Sequence, residues 1–199
     1  MSEIAVSEMP AGLAALMSRA GDQQKGKPPV AKWNPPFCGN LDIRIARDGS
    51  WFYMGSLIQR EALVRLFASV LRKDEDGAYY LVTPVEKIGI VVEDVPFLGV
   101  ELHVEGQGEE QVLTLRTNVG DVVTLDPEHP LRFEREEEND GFLPYVLVRG
   151  RLEARLSRPL LYQLVELFVE RGEGDTAQTG LWSGGAFFSL ASEFLSETG

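Results

Sequence analysis

Four arginines, Arg149, Arg151, Arg155 and Arg158, stand within ten residues of a chain that carries 31 acidic against 19 basic residues and a formal charge of −12. Guanidinium groups concentrated in an anionic background select small anions over polymers. The overall field repels a phosphate backbone, while the local cluster offers charge-assisted hydrogen bonds to one phosphate or carboxylate. Read as one long strand, 145–155 alternates. Val146, Val148, Leu152 and Leu156 take one face, and Leu147, Arg149, Arg151, Glu153 and Arg155 the other. Cross-strand pairing with glutamates such as Glu101 would occupy the same arginines.

Two more arginines open amphipathic segments. Arg60 is followed by apolar residues at offsets three, four, six, seven, ten and eleven, ending at Val70 and Leu71, and Arg158 is followed by the same offsets, ending at Phe168 and Val169. At about 100° per residue each arginine projects into the middle of its apolar stripe. An unpaired buried charge is costly there, so each head must find an acid, with Asp42, Glu86 and Asp94 as candidates, or grip an anion. Each helix then runs through an acidic, glycine-containing turn into a matching strand, Leu81-Val82-Thr83-Pro84 in one case and Leu181-Trp182-Ser183-Gly184 in the other. The shared arginine and the shared exit strand point to an internal duplication. In this reading Arg60, Arg149, Arg155 and Arg158 supply the donors. Thr83 and Ser183 add hydroxyls, and Trp182 or Tyr53 stacks on a planar part of the ligand.

The elements that position these residues follow from local signals. Asp48-Gly49 between two apolar runs predicts a two-residue hairpin. That register pairs Ile45 with Phe52 and Ile43 with Met54, leaving Arg44 beside Trp51 and Tyr53 on the other face. Helices are expected over 60–73 and 158–171, strands over 78–83 and 85–92, a meander over 98–125, and a solvated acidic loop over 134–141. Residues 1–32 read as an appendage, with a short helix capped by Ser7, carrying Leu13, Leu16 and Met17 and ended by Gly21. Gly21, Gly26 and Lys27 imitate the spacing of a phosphate loop, but Pro28 stands where a magnesium-binding hydroxyl belongs and two prolines bar the helix that must follow.

Other chemistries lack their residues. Cys38, His103 and His129 are far apart and without ligand spacing, so neither a metal nor any other cofactor is expected. Gly180–Gly184 resembles a nucleophile elbow only superficially, because its serine sits one position late. A single cysteine fits a reducing compartment. The first residues include Glu3 and Glu8 and do not read as a signal peptide, and no apolar run reaches the length of a membrane span, so a cytoplasmic protein is expected. Two rivals to anion binding stand beside it. One is a small hydrolase or transferase using Glu86, Asp94 or Cys38, and the other is a protein-interaction module presenting the meander edge or the acidic loop.

Several blocks together resemble a bacterial family labelled domain of unknown function 1285. They are Pro35 to Gly39, Arg44 with 48–53, Arg60 with 63–67, 81–87, 93–97, Thr117-Asn118, 144–149, Glu153-Ala154-Arg155 with Arg158, and Leu181-Trp182-Ser183 with Phe187-Phe188. The resemblance spans residues 30–190. It implies an α+β chain of two related domains, 33–96 and 97–199, behind the appendage. It further implies a C-terminal half similar to pleckstrin-homology-like folds, a site for a small, nucleotide-like ligand between the halves, and a role in signalling. It brings no established chemistry.

Overall fold

The computed structural model describes residues 10–18, 27–136, 141–173 and 177–190. The chain divides into two units, Met1–Pro96 and Phe97–Gly199. Among the described residues each unit builds a six-stranded sheet with few helices. The α+β class therefore holds in a strongly β form. The expected Ser7 cap and the glycine spacing at 21–26 lie outside the described residues.

The N-terminal unit runs α1 (Ala11–Ser18), β1 (Phe37–Ile45), β2 (Trp51–Tyr53), β3 (Ser56–Leu57), α2 (Glu61–Ser69), β4 (Leu71–Lys73), β5 (Tyr79–Val82) and β6 (Lys87–Val92). The sheet order is β3-β2-β1-β6-β5-β4. Only the central pair, β1 with β6, is parallel, and the α2 segment supplies the crossover that a parallel pair requires. Ile43 pairs with Tyr53 and Ile45 with Trp51, which puts four large buried side chains on the face that also receives Leu63 and Phe67 of α2. The Trp51 and Phe67 rings stack at 6.3 Å.

This register corrects the two-residue hairpin. Ala46 pairs with Ser50 through a 2.8 Å bond, so the loop holds Arg47, Asp48 and Gly49, with Gly49 at φ 80. That is a type I turn closed by a glycine bulge. The one-residue slip reverses the faces. Trp51 and Tyr53 go into the core, and Arg44 lies over Phe52, its guanidinium carbon 4.3 Å from the ring centre, paired with Glu93.

The C-terminal unit runs β7 (Phe97–Glu105), β8 (Val112–Thr117), β9 (Val122–Thr124), β10 (Leu131–Glu136), β11 (Gly141–Arg149), β12 (Leu152–Leu156), α3 (Arg158–Val165), β13 (Val169–Arg171), β14 (Gln178–Ser183) and β15 (Ala186–Ser189). Its larger sheet has the order β10-β11-β12-β7-β8-β9, and β13-β14-β15 form a second sheet. The rings of Phe133, Phe142 and Phe168 meet at 5.4 to 6.1 Å, while α3 buries Leu160 and Leu164. Both units thus repeat one order, a helix followed by a short strand and an antiparallel hairpin.

Four expected elements change. The helices over 60–73 and 158–171 stop at Ser69 and Val165, because 71–73 and 169–171 pair as strands with β5 and β14. The single strand 145–155 is a hairpin, turning at Gly150 with φ 55. The loop over 134–141 is in part strand, with Glu134 to Glu136 in β10 and Gly141 opening β11, and 137–140 lie outside the described residues.

Candidate functional site: a half-buried arginine in the C-terminal unit

The site grows from the turn after β8. Thr117 N–H donates to Asp121 O at 2.8 Å and Gly120 N–H to Thr117 O at 2.9 Å. Asp121 N–H donates to Thr117 Oγ1 at 3.0 Å. Asn118 fixes this turn to the start of β7, donating its N–H to Leu98 O at 2.8 Å and accepting from Leu98 N–H through Oδ1 at 3.0 Å. Gly120 takes φ 90 at the tightest point, a conformation that glycine adopts without steric cost. The result is a buried aspartate held by backbone rather than by a long flexible arm.

Arg149, at the end of β11, meets it. Its Nε lies 3.4 Å from Asp121 Oδ2, with the two side chains 21% and 6% exposed, and its guanidinium carbon sits 5.0 Å from the centre of the Phe97 ring. Phe97 is itself buried, so the guanidinium has an apolar plate on one side and a carboxylate beside it. Burial pushes the arginine below its ordinary pKa, more than the Asp121 charge restores. A cation destabilised by desolvation gains when a further negative group approaches.

The other predicted residues are placed differently. A register shift lies between Leu147 and Arg149, yet burial still alternates along the hairpin, with Val146, Val148, Leu152 and Ala154 buried and Arg149 and Arg155 half-buried. Arg155, half-buried, stands opposite Tyr145 and Leu98 in the ladder. Arg158 is the first residue of α3, 66% exposed and 4.0 Å from Glu136, and Arg60 precedes α2 in an extended conformation and is exposed. Neither arginine sits in a buried stripe. Ser183 is fully buried, donating to Leu125 O at 2.6 Å and accepting from Leu113 N–H at 2.9 Å. It ties the smaller sheet to the larger one.

Trp182 is half-buried, its ring 5.2 Å from Phe187 with Arg171 over both. Thr83, buried in the N-terminal unit, accepts from Glu86 N–H at 3.1 Å and Val85 N–H at 3.3 Å. Cys38 is exposed, with its thiol 3.5 Å from Pro36 O. Among the described residues no cluster of histidine, cysteine and carboxylate could hold a metal, and no helix is long and apolar enough to cross a membrane.

Sequence reasoning missed the partners that define the site, Asp121 and Phe97. Asn118-Val119-Gly120-Asp121 reads as a turn, but its carboxylate is brought to Arg149 only by the sheet. The suspected partner Glu101 instead pairs with Arg116, and Glu153 holds Arg132 through two bonds of 2.6 and 2.8 Å.

Comparison with known proteins fits this architecture. Residues 28–95 match the family model described as "Domain of unknown function (DUF1285), N-terminal domain", and residues 96–190 match "Protein of unknown function (DUF1285), C-terminal domain". The chain belongs to the DUF1285 family. A crystal structure of a DUF1285 family protein from Silicibacter pomeroyi DSS-3 is 47% identical, with a TM-score of 0.79 over 88% of this chain and 93% of that one. A second, from Shewanella baltica OS155, is 27% identical, with a TM-score of 0.51 over 63% of this chain and 91% of that one. No curated protein matches the chain. Membership in the DUF1285 family thus confirms the resemblance read from the sequence and leaves chemistry to be argued from the site.

Proposed function

We propose that this DUF1285 protein binds a small anion, nucleotide-like in carrying a phosphate, and that Arg149 of the C-terminal unit is the residue that receives it. The observation that carries the reading is the guanidinium over Phe97, whose charge is desolvated beyond what Asp121 offsets. An incoming oxyanion would add charge-assisted hydrogen bonds to that cation. Arg151, in the turn beside it, adds to the local positive field. Ser183 and Thr83 are engaged in backbone hydrogen bonds, which leaves the anion-binding role to Arg149. Two antiparallel meanders, β7-β8-β9 and β10-β11-β12, joined through a parallel β12–β7 pair and followed by a helix, are the features that support grouping this unit with pleckstrin-homology-like binding folds, and a sensor in a signalling chain is the role that suits it.

The test is a thermal-shift series on the full chain with inorganic phosphate and a panel of nucleoside mono- and diphosphates. The wild type should rise in melting temperature with at least one of them, and Arg149→Met should lose the rise while Arg158→Ala keeps it. Equal shifts in wild type and Arg149→Met would remove Arg149 from the site and the proposal with it.

A second reading, a protein-interaction module, is favoured by one specific feature. Tyr162 and Val165, three residues apart on α3, are 62% and 46% exposed and form an apolar ridge, and Val169 of edge strand β13 is 43% exposed. Such ridges mark contact surfaces when they are contiguous. Capture of a partner by wild type and its loss in Tyr162→Glu would select this reading over anion binding.

A further inference from the structure

We infer that the outer edge of β15 is an acceptor strand, which takes one extended segment of a protein partner as a further strand of the smaller C-terminal sheet. The internal repeat carries the argument. Leu81-Val82-Thr83 and Leu181-Trp182-Ser183 each end a strand, and each is followed by a two-residue link, Pro84-Val85 or Gly184-Gly185. The links are closed alike, Thr83 against Glu86 and Ser183 against Ala186. β15 is thus the counterpart of β6, with Phe187 in the place of Lys87 and Ser189 in the place of Gly89. In an antiparallel pair alternate residues turn their N–H and C=O groups to the partner and the rest turn theirs away. Thr83 N–H donates to Glu86 O, so Glu86 faces β5 and Lys87 and Gly89 turn outward. There β1 meets them: Lys87 N–H donates to Pro36 O at 3.0 Å and Gly89 stands opposite Asn40. Leu190 N–H donates to Thr179 O at 2.8 Å, so Leu190, Phe188 and Ala186 face β14 while Phe187 and Ser189 turn outward. Among the described residues no strand meets these two, since β15 stands at the end of its sheet.

The strand that corresponds to β1 in chain order is β10, and it is placed elsewhere. Its Phe133 ring lies 5.9 Å from that of Phe168. Phe168, one residue before β13, falls on the face of the sheet that buries Leu181 and Phe188. β10 therefore packs against that face and shares no ladder with the sheet. The two edges of the sheet also differ in composition. β13 carries Glu170 and Arg171, charges of the kind that keep an edge from pairing, whereas β15 reads Ala-Phe-Phe-Ser, with neither charge nor proline. On the outer face beside this edge the Trp182 and Phe187 rings lie 5.2 Å apart, both half-buried. They would flank an apolar side chain of the added strand, as Phe37 stands opposite Lys87 and 6.1 Å from the Tyr80 ring in the N-terminal unit. Main-chain bonds supply affinity in such an addition, and the pocketed side chain supplies selection. The edge uses neither Arg149 nor Asp121, so it stands apart from the anion reading.

The probe is a set of peptides, each about nine residues long to match a strand, selected from a random library on the full chain. Amide exchange followed residue by residue by NMR reads their effect. In the free protein the amides of Phe187 and Ser189 should exchange at least about tenfold faster than those of Phe188 and Leu190. A selected peptide should slow both by at least about tenfold, and N-methylation of one of its two alternating sets of amides should abolish binding, as main-chain pairing requires. Ser189→Pro removes an outward N–H that the fold does not use, at a place where an edge strand tolerates proline. It should weaken the peptide by at least about tenfold in a protein that still melts cooperatively; if that variant does not fold, the methylated peptides decide. Phe187 and Ser189 amides as slow as that of Phe188 in the free protein would overturn the proposal, because the edge would already be filled, by another part of the chain or, where the slowing grows with concentration, by a second copy. Failure to select any peptide would overturn it too, as would peptides that slow exchange along α3 instead, or binding that survives methylation of either set.

Discussion

Ser183 donates its hydroxyl to the carbonyl of Leu125 at 2.6 Å, joining a strand of the smaller C-terminal sheet to the residue after β9. The same oxygen accepts from Leu113 N–H, and Gln111 adds a bond from Nε2 to Trp182 O at 2.8 Å. Two sheets that share no ladder are thereby fastened through side chains. Removing the hydroxyl leaves a buried carbonyl and a buried N–H without this partner, which costs about 1–3 kcal/mol. Ser183→Ala should accordingly lower the denaturation midpoint without changing the slope. A phosphate-induced thermal shift should survive in it, because the hydroxyl is engaged in structure and has no ligand to contact. Loss of the shift in a protein that still melts cooperatively would return Ser183 to the binding site.

Asp121 competes with any anion for Arg149. Its backbone N–H holds the turn through Thr117 Oγ1, so Asp121→Asn keeps the turn while deleting the negative charge 3.4 Å from Nε. Two effects should follow, in opposite directions. Stability should fall, since breaking a half-buried pair leaves a desolvated cation. Phosphate affinity should rise by about fivefold to tenfold, the equivalent of roughly 1 kcal/mol of relieved competition. Calorimetric titration of both proteins with inorganic phosphate reads the second effect directly, and weaker binding in the variant would mean that Asp121 helps to build the site rather than guarding it.

How far the sequence revealed this arrangement depends on parity. In the hairpin of β11 and β12, Tyr145 pairs with Arg155, Val146 with Ala154 and Leu147 with Glu153, so even-numbered residues face even-numbered ones. Alternation therefore runs unbroken through the turn, and a hairpin reads as one strand. The β1–β2 hairpin fails for the opposite reason. Asp48-Gly49 is a strong two-residue signal, yet a two-residue loop would put Trp51 and Tyr53 on the face away from Ile43 and Ile45. A three-residue loop keeps all four odd-numbered side chains in the core, and core burial outweighs turn preference. Helix starts were legible, and helix ends were not, because Leu71 and Val169 fit a helical stripe and a strand ladder equally well. The family was recognisable from scattered blocks such as Leu81-Val82-Thr83-Pro84. The pairing of Asp121 with Arg149 was not, since twenty-eight positions separate them.

The N-terminal unit carries its own titrating group. Asp74 lies between Arg72 and Lys87, 3.2 Å from Arg72 Nη2 and 3.0 Å from Lys87 Nζ. Burial alone would raise its pKa, but the hydrogen bonds from these two cations outweigh it and hold the carboxyl below its ordinary 3.8. A carboxyl lowered in the folded state stabilises the fold fully above the unfolded value, and that contribution is lost as the pH falls through the folded value. Arg72 also donates to Val30 O at 3.0 Å and Trp33 O at 2.7 Å, so acid should loosen the 30–33 segment as well. Chemical denaturation between about pH 5 and pH 2 should show a steeper loss of stability in wild type than in Asp74→Asn. Parallel curves would assign the acid sensitivity elsewhere.

Two glycines of the smaller C-terminal sheet separate crowding from backbone conformation. A Cβ on Gly180 would stand 2.3 Å from Phe188 O and 2.9 Å from Ser189 Cα, both backbone atoms of the paired strand, and 2.8 Å from the Phe187 ring. None of the backbone can yield without opening the ladder in which Gly180 opposes Ser189. At Gly185 nothing lies within 4 Å, but φ is 77, where an L side chain costs roughly 1 kcal/mol. Gly185→Ala should thus lose about 1 kcal/mol and keep its structure, while Gly180→Ala should lose at least about 1–3 kcal/mol through overpacking. It should also shift the tryptophan fluorescence, because Phe187 must move and with it the surroundings of Trp182. Equal and small losses in the two variants would show that β14 and β15 are not held at the close approach that gives Trp182 its setting.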